Sequence, residues 1–268
     1  MFLAVICCIP NAYGAFERTS QGSEIIAFGG ASVALVDNGW AAWLNPGGLA
    51  TLEQGRLSLF YVPEQYGLKE LARESFSFVE PTAIGTFALS ASRFGFELYR
   101  ELTMSLAYAA SVTTGFHIGV SVAWYSLAIQ NYGSQRCLGF DLGLLIDLTQ
   151  EIHWGFAATN LNGPTVGKGG EKLPQLFSFG LSYQPMDNTM LAVELLKDIR
   201  YQVELRLGIK YTALDLLDIV GGAASDPSTV TAGIGLHLFG LKMSYACFRH
   251  TELGMTHSFS VSLDTGTL

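Results

Sequence analysis

From Gly55 to Asp264 the apolar and polar positions alternate with a period of two, the pattern of strands that turn one face to an apolar medium and the other to water. Segment 201–211 is the clearest. Val203, Leu205, Leu207, Ile209 and Tyr211 fall on one face, and Gln202, Glu204, Arg206, Gly208 and Lys210 on the other. Segment 229–238 sets Val230, Ala232, Ile234, Leu236 and Leu238 against Thr229, Thr231, Gly233, Gly235 and His237, and 255–264 sets Met255, Phe259, Val261 and Leu263 against Thr256, Ser258, Ser260, Ser262 and Asp264. The rule extends to 101–111, 115–125, 138–148, 152–159, 176–183 and 241–248, and more weakly to 56–62, 74–80, 84–94, 190–197 and 216–224. The pattern predicts an all-β chain, a transmembrane antiparallel β-barrel of about 14 strands, each long enough to cross a bilayer when tilted.

The connections sort into two sets. Pro81 to Ala83, Val112 to Thr114, Thr149 to Glu151, Pro185 to Asn188, Thr212 to Asp215 and Phe239-Gly240 are short. Pro63 to Ala72, Gly95 to Arg100, Ala128 to Cys137, Asn162 to Pro174 and Arg249 to Gly254 are longer and more polar, with the connections at Asp198 and Asp226 on the same side shorter. An outer-membrane barrel has short periplasmic turns and longer external loops, whereas a soluble sandwich has no reason to sort its loops by side. An even strand count places both termini in the periplasm.

Residues 28–50 interrupt the alternation. Gly29-Gly30 opens the stretch and Asn45-Pro46-Gly47-Gly48 closes it, since a residue before proline leaves the helical region. Between them Val33, Val36, Trp40 and Trp43 recur at helical spacing, which predicts one helix with a shared apolar face. Fourteen strands at ~4.8 Å and ~40° tilt enclose a backbone diameter of ~28 Å, wider than a helix, so this segment is expected in the lumen as a plug. The chain then divides into an export signal over 1–15, with an apolar run from Phe2 to Ile9 and small residues from Ala12 to Ala15, a plug segment over 16–54 and a barrel over 55–264.

Composition agrees with lipid as the surrounding medium: only 14% of the residues are charged, against about 25% in ordinary soluble domains. The net charge of -8 argues against a nucleic-acid partner. Beyond the signal two cysteines remain, Cys137 at a loop edge and Cys247 on an outward row, which argues against a disulfide. The inward charges Asp141, Asp147, Glu194, Glu204, Arg206, Lys210 and Lys242 read as an ion-pair ladder lining the lumen. Ala88, Ser90, Ser105, Ala107, Ser121 and Ala123 also face inward, and their small size is expected to leave room for an apolar guest beside the plug. His117, His153, His237, Ser258 and Asp264 are scattered over inward faces without a catalytic constellation or metal-ligand spacing. No catalysis, metal or cofactor is expected.

The run Gly29 to Ala34 through Asp37 to Asn45-Pro46-Gly47-Gly48-Leu49-Ala50 resembles the N-terminal signature of the PorV/PorQ family of outer-membrane barrels, related to the FadL-like transporters. Gly47 replaces that family's alanine. Thr159 to Pro164, Leu173-Pro174 with Phe179 to Tyr183, Ser244 to Ala246 and Leu253 to Ser260 continue the resemblance nearly end to end. It implies a fourteen-stranded barrel with an N-terminal plug marked by Gly29, Gly30, Asp37, Trp40, Trp43, Asn45 and Pro46. It also implies a non-enzymatic role: handling a hydrophobic small molecule, as FadL-like members do, or a secreted protein with a type IX signal domain, as PorV-like members do.

Overall fold

A computed structural model describes residues 15–17, 20–167, 169–250 and 253–267; nearly all of the expected export signal lies outside them. The strands in chain order are β1 Arg56–Val62, β2 Arg73–Thr82, β3 Gly85–Gly95, β4 Tyr99–Thr113, β5 Phe116–Ile129, β6 Gly133–Asp147, β7 Ile152–Thr159, β8 Thr165–Val166, β9 Glu171–Lys172, β10 Leu176–Met186, β11 Thr189–Asp198, β12 Val203–Ala213, β13 Leu217–Ser225, β14 Ser228–Leu238, β15 Leu241–His250 and β16 Gly254–Asp264. All but β8 and β9 form one closed antiparallel barrel in which sequence neighbours pair and β1 closes on β16. Closure leaves no unpaired edge, the condition for crossing a bilayer with strands. β8 and β9 pair with each other in the connection between β7 and β10.

The facing follows the alternation. Leu205, Leu207, Ile209 and Tyr211 of β12 are exposed on the outer wall, and Gly208 between them is buried in the lumen. On β16 Thr256, Ser258 and Ser260 are buried while Met255, Phe259 and Val261 are exposed. Six turns lie at the end that also carries Arg56 and Asp264, here the short-turn end.

At the opposite end the expectation fails in part. Gly95–Arg100 and Ala128–Cys137 are not extended loops, because β4 and β6 run for 15 residues each and β5 for 14. Above the apolar band the outer face of these strands is polar, so alternation disappears while pairing continues, as in Leu127 with Gln135 and Ala128 with Ser134. Cys137 consequently lies within β6, packed beside Tyr125 and Leu127, and both it and the outward Cys247 are free thiols. The long connections are 63–72 and 160–175. The second folds over the mouth with Val166 and Leu173 buried against Ala123, Tyr125 and Leu127.

The single helix expected over 28–50 is also corrected. The plug has one short helix before that stretch, α1 Ser23–Ala27, one turn within it, α2 Ala41–Leu44, and a 3₁₀ segment Pro46–Thr51. Gly29 and Gly30, at φ 68° and 78°, end α1 instead of opening a helix: their amides donate to Ile26 O at 3.1 Å and Ile25 O at 2.9 Å. Val33 packs with Leu145 and Ala157, whereas Trp40 and Trp43 pack with Phe60 and Val62, so the four residues share no face.

Burying a cation in the lipid-facing wall tests this facing directly. Leu207→Arg, well inside the band, is expected to cost about 2–4 kcal/mol in folding into lipid vesicles, and Val230→Arg, near the end of its strand, about 0–1 kcal/mol. Equal penalties in vesicle-folding titrations would contradict the assigned depth and facing.

Candidate functional site: the plugged lumen

The plug is held by direct approach of its backbone to the wall. Seven strands place a glycine inward at its level: Gly119 on β5, Gly143 on β6, Gly155 on β7, Gly180 on β10, Gly208 on β12, Gly222 on β13 and Gly233 on β14. A methyl on Gly208 would lie 2.6 Å from Phe28, one on Gly222 2.6 Å from Gly29 Cα, and one on Gly155 2.8 Å from Ala34 Cα. Each is closer than nonbonded carbons tolerate, so a side chain here displaces the plug. The rest of the ring is built of Ala and Ser, with Ala88 and Ala107 packed on Ala41, Ala42 and Leu49. These small residues therefore receive the plug and do not leave the apolar room expected of them.

Polar groups complete the seat. Glu194, 3% exposed, accepts the amides of Ser32 and Val33 at 2.7 and 2.8 Å, with Arg206 at 3.7 Å from its other oxygen. Arg206 is gripped by both oxygens of Glu204, at 2.8 and 3.1 Å, and donates to Gly30 O at 3.3 Å. Asn45 donates to Val33 O at 2.6 Å and to Leu144 O on β6 at 2.8 Å, while its own oxygen accepts from Gly47 N at 3.0 Å. Asn45 thus starts the 3₁₀ turn and pins it to the wall, and Pro46 lies over Gly119. Ser23 N donates to Ser260, Ser182 donates to Ala34 O, and Ser77 donates to Gly39 O.

At the short-turn mouth Arg56 joins Asp264 at 2.5 Å and Asp37 at 3.1 Å, and Lys242 pairs with Glu24 and lies 3.7 Å from Asp218. Lys210 lines the same vestibule of about 540 Å³. Toward the other mouth Asp141 accepts from Ser121 Oγ at 2.9 Å and from Asn160 N at 2.8 Å, fastening the start of the connection that covers the lumen. Phe16 also lies on this side, its amide on Glu101 at 2.9 Å and its ring 5.1 Å from Tyr125. The first described residues therefore stand in the lumen toward the long-loop end, whereas Asp264 is at the short-turn end.

The sequence-predicted lumen charges thus form no continuous ladder. Glu194, Glu204 and Arg206 hold the plug, Asp141 holds the cover, and Lys210 and Lys242 face the vestibule. Of the histidines, His117 bridges Ser111 at 2.8 Å and Asp147 at 3.1 Å, His153 takes the second Asp147 oxygen at 2.7 Å, and His237 pairs with Asp218 at 2.7 Å. These contacts tie neighbouring strands. No cluster of metal-ligating side chains occurs among the described residues. Sequence reasoning missed the glycine ring, whose signal was glycine recurring on the polar parity of successive strands.

What remains open between plug and cover is small. A cavity of about 50 Å³ is bordered by Trp43, Arg73, Ser105, Glu101, Asp141 and Asn160. Three atoms on its border, Trp43 Nε1, Ser105 Oγ and Asn160 Oδ1, have no hydrogen-bond partner. An apolar cavity that takes up benzene is about 150 Å³, so this cavity does not hold such a guest, whereas a pocket of about 320 Å³ lined by Leu176, Leu196, Glu204 and Arg206 stands at the long-loop end above the plug.

No protein-family model and no curated protein matches the chain. Solved structures do. The Ralstonia pickettii toluene transporter TbuX superposes with a TM-score of 0.67 at 14% identity over 91% of this chain and 98% of that one. A Pseudomonas aeruginosa FadL homologue gives 0.67 at 13% over 92% and 99%. The Pseudomonas putida toluene transporter TodX gives 0.65 at 13% over 92% and 98%. At these identities the likeness establishes a shared fold.

Loosening the seat should open the barrel. Glu194→Ala leaves two buried amides without an acceptor, at about 1–3 kcal/mol each, and Gly222→Val forces Gly29 off the wall. Both variants are expected to fold yet conduct ions in planar bilayers where the parent is nearly closed. Parent-like conductance from both folded variants would contradict the seating described.

Proposed function

We propose that this chain is a non-enzymatic outer-membrane channel that passes small hydrophobic molecules, with its short-turn end in the periplasm and its long connections outside. The observation that carries the reading is a closed barrel with an apolar outer wall whose lumen is filled by a hydrogen-bonded plug. An open aqueous pore serves polar solutes, whereas a closed one is suited to compounds that enter from or leave into an apolar phase. The named functions of structures with the same fold, toluene transport among them, support this class of cargo. Residues 1–15 would direct export.

Passage requires a second state, because the plug fills the lumen between the pocket of about 320 Å³ at the long-loop end and the vestibule of about 540 Å³ at the short-turn end. The PorV-like alternative, a receptor for secreted proteins, has the N-terminal and loop motifs in its favour. Against it, the one long connection with its own hairpin buries Val166 and Leu173 over the lumen instead of presenting them to a partner.

A deletion strain is the test. Loss of the chain is expected to slow uptake of labelled toluene or long-chain fatty acid several-fold without changing uptake of a small sugar, and Gly222→Val is expected to admit the sugar as well. Unchanged uptake of both apolar compounds, with a type IX signal-domain protein co-purifying with the barrel, would replace this reading with the secretion role.

A further inference from the structure

Every outward-facing Lys or Arg on the described barrel strands lies at one end of the wall. They are Arg93 on β3, Arg100 on β4, Arg136 on β6, Lys197 on β11 and Arg249 on β15, all toward the long-loop end. The remaining strand cations, Arg56, Arg73, Arg206, Lys210 and Lys242, point into the lumen. Outward acids do not mirror this distribution: Glu74 faces Arg93 at 3.8 Å, and Glu80 is at the short-turn end.

The level of these cations coincides with the edge of the lipid band. The short turns carry exposed apolar residues at their tips, including Ile84, Val112, Leu148, Leu214 and Phe239. Counted along a strand, about nine to twelve residues separate tip from cation: Ile84 to Arg93, Val112 to Arg100, Leu148 to Arg136 and Phe239 to Arg249. A strand tilted by ~40° rises ~2.5 Å per residue, so the separation is ~23–30 Å, matching an apolar band of ~25 Å. If the turn tips sit at one hydrocarbon boundary, the cations sit at the headgroups of the opposite leaflet.

Three of them form a patch. Arg93 and Arg100 are on adjacent strands, and Arg136 is two strands from Arg100, ~12 Å away along the wall. Between them on β5 stands Trp124, whose ring lies 5.5 Å below the Arg136 guanidinium. Guanidinium groups bind phosphate oxygens in pairs, and an indole beneath one of them fits the boundary between acyl chains and headgroups.

We propose that Arg93, Arg100 and Arg136 bind the phosphate groups of a phosphorylated glycolipid in the leaflet at the long-loop end. This rests on the outer-membrane placement above and is independent of the cargo. The patch fixes the barrel's depth and distinguishes its two leaflets: basic collar on one side, apolar tips with Glu80, Glu151, Asp187 and Asp215 nearby on the other.

The test uses the full chain and an Arg93→Gln, Arg100→Gln, Arg136→Gln variant, with Lys172→Gln in the exposed β8–β9 hairpin as the control. After mild detergent extraction from the outer membrane, organic phosphate and hydroxy-acyl chains bound to the protein are measured. The parent and control are expected to retain glycolipid, and the triple variant roughly a hundredfold less, about 3 kcal/mol over three surface charges. With lipid-stripped protein, bisphosphorylated lipid A is expected to raise the unfolding midpoint of the parent but not of the variant, whereas dephosphorylated lipid A and inorganic pyrophosphate have no effect.

Equal retention by parent and triple variant, or an equal shift with pyrophosphate, overturns the proposal. Should the triple variant not fold, Arg100→Gln and Arg136→Gln singly are expected to lose part of the retention, and parent-like retention in both would equally overturn it. Recovery of the parent in a membrane fraction without glycolipid would instead refute the outer-membrane placement.

Discussion

Contact between the plug backbone and the wall backbone is the constraint on which the rest of this structure depends. A polypeptide segment inside a barrel has its own amides and carbonyls to satisfy, and a helix is the usual solution. Here the inner wall at the level of the plug is mostly glycine, alanine and serine, so the plug comes close enough for Glu194, Ser182, Ser77 and Ser260 to take over those bonds, while Asn45 of the plug donates to Leu144 O of the wall. Glycine at Gly155, Gly208 and Gly222 is required by the available space, not by backbone dihedrals. The same closeness leaves little free volume between the plug and the wall.

Charge follows from this arrangement. Carboxylates and guanidinium groups within a membrane protein persist when each is paired or hydrogen-bonded. Glu194 meets two amides and Arg206, Arg206 meets Glu204, and Asp141 meets Ser121 and Asn160. Removing one partner strands the other, so opening cannot consist of simply withdrawing the plug; its bonds must be exchanged. Outside the lumen the remaining strand cations stand at the long-loop edge of the apolar band, Arg93 beside Glu74.

The strands were legible because lipid on one face and a wet or small-residue lumen on the other leave a parity that no distant contact can alter. β12, β14 and β16 are read from Val203, Ile234 or Phe259 outward and their alternate neighbours inward. The ends of β4, β5 and β6 were illegible because Gln135 and Arg136 project beyond the band, where the outer face is no longer selected for apolarity. The plug misled for a different reason. Val33, Val36, Trp40 and Trp43 have helical spacing, yet the acceptor for the amides of Ser32 and Val33 is Glu194, far along the chain, and local periodicity carries no record of it. Asp141 and Glu194 were recognised as lumen residues; that one fastens the cover and the other the plug required the fold.

Amide hydrogen exchange in lipid vesicles measures the seating directly. The amides of Gly29, Ser32, Val33 and Gly47, bonded to Thr231, Glu194 and Asn45, are predicted to exchange as slowly as those in the middle of β12. Exchange at the rate of the exposed β8–β9 hairpin would contradict a plug held on the wall.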